Sequence, residues 1–306
     1  MRLSTQQFYI QNLDNVNQSN ARLFKVQQQL ATGQKLSQPS DDPLAATQIN
    51  KYERVIARNE VFANNDNVSE RRLRLEESTL TAITESVLNI KDLAIQANNG
   101  ANSDNDRAII GEEMRQILGQ LVAALNTRDA QGEYLFSGFK GATEPYQLNA
   151  NDNYEYKGDS GQRFLDIGEN ATIAATDPGS TLFGSGEDNL LNVVNSLASL
   201  LKGDRPLDAA FETITEEVSD LQGQVDQFFE TLVTKRSELG ARLRVLDDQR
   251  DALADIKLFT QNTLSKFKDT DYYEATSQLL LEQNALQAAY ASFGKIQQLS
   301  LFNYVN

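Results

Sequence analysis

The sequence predicts a mainly α-helical chain with a small β-rich insertion, folded back on itself as an elongated, nested antiparallel rod of paired helices. Three observations lead there. A three–four apolar repeat runs unbroken from Leu207 to Phe267, with 13 of its 18 positions apolar, as in a coiled-coil seam. Both chain ends carry helix-forming stretches whose apolar stripes are too thin to be self-sufficient. Between the helical parts, residues 141–187 hold seven of the 17 glycines and several period-2 stretches.

The first helix is expected over residues 1–34. Its stripe of Leu3, Gln6, Ile10, Leu13, Asn17, Asn20, Phe24, Gln27, Ala31 and Gln34 is only half apolar, and Gly33 and Pro39 interrupt it. A second helix starts at Asp42-Pro43, since Asp is a favoured N-cap and Pro fits the first helical position, where an N–H would go unpaired. It runs to about Asn98 on Leu73, Leu80, Ile83, Val87, Ile90 and Ala94; its first half is weaker, with Asn59 and Asp66 on the same line. A third helix, about 104–128, turns Ile110, Met114, Ile117, Leu121 and Leu125 one way, and the Gly-bounded stretch 132–141 closes it as a strand or turn.

Residues 141–187 read as short strands joined by turns, too few for an independent core. A short helix at about 188–201 leads to the longest element, 207–267, roughly 90 Å at 1.5 Å per residue. Lys235, Arg242 and Gln249 lie on its seam as solvated or register-setting residues. The last helix opens with the capping box Asp271/Glu274 and carries Leu279, Leu286, Ala289, Phe293, Ile296 and Leu299 on one face. The expected organisation is therefore terminal assembly arms (1–42 and 268–306), a long-helix rod (43–140 and 188–267) and an inserted outer β-rich module (141–187).

Composition narrows the function. The chain has no Cys and no His, which removes disulfides, thiolate sites and the commonest general base and metal ligand. No catalytic residue, cofactor or metal site is expected, and the reading is that of a structural protein, not an enzyme. A net charge of −15 opposes nucleic acid and anionic membranes, so neither is an expected partner. No run reaches the ~18–20 apolar residues of a membrane span, and the first residues lack the apolar core of a secretory signal. Arms with thin stripes gain most by stacking on other copies. Ile10, Leu13, Leu23, Phe24, Leu286, Phe293, Ile296 and Leu299 are the candidate assembly residues.

The wording of both ends is specific. MRLST at 1–5, QQLATGQKLSQPSDDPLAA at 28–46, GEYLFSGFKG at 132–141 and LQAAYASFGKIQQLSLFNYVN at 286–306 together resemble the flagellin superfamily, and within it the hook–filament junction branch. Ser40–Pro43 and Leu299–Phe302 are its most specific parts. The resemblance implies export through the flagellar type III apparatus without a cleaved signal. It implies a ring of copies joining the hook, through hook-associated protein 1, to flagellin, and a cytosolic export chaperone for the C-terminal arm. The alternatives are a flagellin filament subunit or another type III secreted coiled-coil protein.

Overall fold

The computed structural model describes the backbone of residues 2–305 and the side chains of Gln7 and of residues 10–295. The element order is α1 (Arg2–Thr32), α2 (Pro43–Ala97), α3 (Asp104–Leu125), β1 (Tyr146–Leu148), β2 (Tyr154–Tyr156), β3 (Phe164–Gly168), β4 (Ala171–Ala174), α4 (Gly179–Phe183), α5 (Leu190–Lys202), α6 (Ile214–Lys268) and α7 (Tyr272–Val305). The fold is mainly α with a small β insertion, as the periodicities predict. By contact density the chain divides into two compact units, Met1–Arg58 with Asp255–Asn306, and Asn59–Ala254.

Local chemistry sets the helix ends. Asp42 caps α2, its Oδ1 accepting from the N–H groups of Leu44 (3.1 Å) and Ala45 (3.0 Å). Ser103 and Asp106 form a reciprocal capping box on α3. Asp271 caps α7 through the N–H groups of Tyr273 (2.9 Å) and Glu274 (3.2 Å).

In the Asn59–Ala254 unit, α2 and α6 run antiparallel, as the pairs Asp66–Arg250 (3.2 Å), Lys91–Asp226 (2.9 Å) and Asn98–Ser219 (2.8 Å) require. Their stripes share one core with α3 and α5: Leu73, Ile83 and Ile90 of α2, Met114 and Leu121 of α3, Val194 and Leu197 of α5, and Val225, Leu239 and Leu246 of α6. α3 meets α5 closely at Gly111, where a Cβ would lie only 2.8 Å from the Ala198 carbonyl oxygen.

The insertion consists of two antiparallel hairpins. β1 pairs with β2 (Tyr146 opposite Tyr156), and β3 pairs with β4 with a register shift between Asp166 and Gly168. Asn149 shapes the first turn by accepting from the N–H groups of Asn151 (2.8 Å) and Asn153 (3.0 Å). The stretch 132–141 forms turns, with one isolated bridge between Arg128 and Tyr134.

Three expectations need correction. The long C-terminal helix starts at Ile214, not Leu207, because Thr213 and Glu216 cap each other: the Glu216 N–H reaches Thr213 Oγ1 (3.3 Å) and the Thr213 N–H reaches Glu216 Oε2 (3.2 Å). Leu207 still packs on the core, but from a loop. Residues 179–183 are helical although only short strands and turns were expected across 141–187; five residues are too few for a helical period to show. Arg242 is no solvated seam residue: its guanidinium holds Asp177 of the insertion through two bonds, 2.6 and 3.1 Å.

Candidate assembly interface

The candidate assembly residues sit on α1 and α7, which pair with each other. Arg22 Nε donates to Glu282 Oε1 at 2.9 Å and Asn20 Nδ2 to the Tyr290 hydroxyl at 3.4 Å, so the two helices run antiparallel. On α1 the line turned inward is Val16, Ser19, Leu23, Val26 and Leu30; Val16, Ser19 and Val26 are buried, the other two half-buried. Buried Ser19 is satisfied by Arg22 Nη2 at 3.0 Å. On α7 the facing line is Ala275, Leu279, Glu282, Leu286, Ala289 and Phe293, again at steps of three and four.

The α1 stripe expected from sequence, through Ile10, Leu13 and Phe24, lies one residue away from the line that is buried. One residue turns a helix by about 100°. Ile10 and Phe24 are therefore 52% and 68% exposed, and Leu13 lies at the edge of the buried face. On α7, Leu280, Leu281 and Tyr290 are exposed, Leu281 at 66%. Of the other candidates, Leu23, Leu286 and Phe293 occupy the seam between the helices; the side chains of Ile296 and Leu299 lie outside the described residues. Leu281 was missed altogether. The buried line was legible in the sequence, since Val16, Ser19, Leu23, Val26 and Leu30 form a three–four series with one polar member.

A backbone clasp closes this pair at its root. The Lys35 N–H donates to the Lys268 carbonyl (2.8 Å) and the Thr270 N–H to the Gly33 carbonyl (2.9 Å). Gly33 turns the chain there with a left-handed φ of +69°. Asp41 organises the loop that follows: Oδ1 pairs with Lys25 (3.2 Å) and Oδ2 accepts from the N–H groups of Ser37 (3.2 Å) and Gln38 (3.3 Å). The bond from Lys25, with those backbone donors, holds the Asp41 carboxyl below its ordinary range. The two adjacent aspartates thus divide the work, Asp42 capping α2 and Asp41 fixing the loop. Beside them lies an open groove of about 600 Å³ lined by Lys35, Leu36, Leu44, Gln48, Tyr52 and Phe267.

Among the described residues no three carboxylates are gathered as a metal site, and no helix is long and apolar enough to cross a membrane.

Two family patterns match the chain, the bacterial flagellin N-terminal helical region over residues 3–140 and the bacterial flagellin C-terminal helical region over residues 222–305. The chain belongs to the flagellin family. Within that family it is similar to the flagellar hook-associated protein 3 of Escherichia coli, 29% identical with 99% of each chain covered. Its similarity to the B-type flagellin of Pseudomonas aeruginosa, 30% identical, spans only 45% of this chain and 28% of that one. Among solved structures, a putative flagellar hook-associated protein from Vibrio parahaemolyticus shares the fold, with a TM-score of 0.67 and 22% identity over 75% of this chain and all of that one. Flagellin-family matches fall on both terminal helical regions, which include the paired helices α1 and α7.

Proposed function

We propose that this protein is a structural adaptor of the bacterial flagellum, seated where the hook meets the filament, and that it performs no catalysis. What carries the assembly role is the exposed apolar flank of the terminal helix pair, Ile10 and Phe24 on α1 with Leu280, Leu281 and Tyr290 on α7. Large apolar side chains left bare on a helix pair offer contact area that a partner subunit can cover. Its cover is other subunits, arranged as a ring in which each copy shields its neighbours. Hook-associated protein 1 bounds that ring on the hook side and flagellin on the filament side. Before assembly, an export chaperone covers the C-terminal arm, and the chain leaves through the flagellar type III apparatus. The end-to-end similarity to a hook-associated protein favours the junction over the filament, because the flagellin similarity stops short of half the chain.

Immunogold labelling of isolated flagella separates the two positions. An adaptor gives a single narrow band at the proximal end of each filament. Labelling along the whole filament would make the chain a filament subunit, and an unlabelled flagellum would remove it from the structure.

A further inference from the structure

One buried acid in the Asn59–Ala254 unit has no cation of its own. Glu76 of α2 is 0% exposed, and neither of its carboxyl oxygens receives a well-formed hydrogen bond. It faces the carboxyl and the backbone N–H of Asp177. Asp177 is itself buried and already engaged: Arg242 Nη1 and Nη2 of α6 bind it at 2.6 and 3.1 Å, and Gln162 Nε2 at 2.7 Å. Asp177 also lies in the middle of a continuous buried run, 175–179, which joins β4 to α4 and anchors the insertion.

The local charges do not balance. Asp177 and Glu76 share one guanidinium, and the remaining neighbour on α6, Glu238, is another acid, 3.9 Å from Arg242. One turn earlier on α2, by contrast, Arg72 and Arg163 meet Asp129 and Glu133, two cations for two acids. There Glu133 is held below the ordinary carboxylate range by its bonds to Arg72 and Arg163. Arg72 is thus already occupied. Two ionised carboxylates against one guanidinium in a buried site repel each other, and an unpaired buried charge is costly. A proton on Glu76 removes the excess.

We propose that Glu76, Asp177 and Arg242 form a proton-dependent latch, which fastens the root of the β-rich insertion to α2 and α6 when Glu76 is protonated and loosens as pH rises. Burial, and after it the Asp177 charge, pushes the Glu76 carboxyl well above its ordinary value. The sign follows from linkage. The folded chain keeps a proton that the unfolded or opened chain releases, so the latch is at full strength below the ordinary glutamate range. It weakens steadily until the folded group itself ionises. Most other shifted carboxylates are held low and have finished titrating near neutrality, and the raised tyrosines (Tyr146, Tyr154 and Tyr156) titrate only above their ordinary value of 10. Asp66 is also held above its ordinary value by burial, so the Glu76 effect is read as the difference between the parent and Glu76→Gln.

The test uses the full chain, with thermal unfolding and hydrogen exchange measured from pH 5 to 9. With one proton released on opening, the opening constant of residues 171–183, corrected for intrinsic exchange, should rise about tenfold per pH unit. The melting temperature of the parent should fall by about 2–4 °C per unit. Glu76→Gln keeps the shape without the acid, so its profiles should be flatter and diverge upward from the parent as pH rises. Parallel profiles for the two proteins would overturn the latch. Should Glu76→Gln fail to fold, the parent decides alone: corrected protection of 171–183 that is independent of pH would overturn it equally.

Discussion

At the scale of single residues, the terminal pair depends on a few backbone decisions more than on side-chain bulk. Gly33 is one of them. It ends α1 at a left-handed φ of +69°, and a Cβ there would stand 3.0 Å from the Tyr272 hydroxyl on α7. For a residue with a Cβ this conformation costs about 1–2 kcal/mol. Gly33→Ala should lower the urea stability of the terminal unit by that amount, followed by far-UV circular dichroism. Gly33→Asn should lose less, because Asn tolerates the left-handed region. An alanine variant as stable as the parent, or an asparagine variant worse than alanine, would mean that this turn is not set by Gly33. The Asp41–Asp42 pair belongs to the same scale. The cap on α2 was legible from the order Asp-Pro, whereas the role of Asp41 was not, since its partner Lys25 comes from the preceding helix.

At the scale of elements, α6 shows both the strength of periodicity and its blind spots. Its apolar repeat located the helix, and Val218, Val225, Leu232, Leu239 and Leu246 are buried as expected. The repeat misplaced the start because it continues past the point where Thr213 and Glu216 cap the helix; apolar spacing says which face is buried but not where a backbone stops. Arg242 was misjudged for another reason: Asp177, its partner, lies 65 residues away, and a long-range ion pair leaves no periodic trace. In α1 the error was one of phase. Two three–four series run side by side, and only packing against α7 decides which one turns inward. Two substitutions within α6 test burial as the source of its stability. Leu239→Ala empties a fully buried site and should cost about 2–5 kcal/mol. Phe259→Ala, at a position 72% exposed, should stay within about 0.5 kcal/mol of the parent. Equal losses in urea unfolding would contradict the assignment of the core.

At the scale of the whole molecule, the two compact units differ in chemistry. Asn59–Ala254 carries 34 acidic against 17 basic residues, whereas the terminal unit carries nine against 11. Like-charge repulsion between copies is therefore concentrated in the first, and close approach is cheapest through the second. The second unit also leaves large apolar side chains uncovered on its paired helices, Phe24 and Leu281 among them. The central claim is that this flank is built for other subunits rather than for the fold of its own chain. It is tested by the double substitution Phe24→Asp with Leu281→Asp, both at sites largely exposed in the free protein (68% and 66%). Covered by a neighbour, each carboxylate would be desolvated at a cost of several kcal/mol. The decisive measurement is the fraction of isolated hooks that carry an immunolabelled band, in cells where the variant replaces the parent chain. The expected result is a fall of at least about tenfold, for a purified variant whose melting temperature matches the parent, because two such burials oppose assembly and not folding. Bands and filaments at parental frequency would contradict the claim.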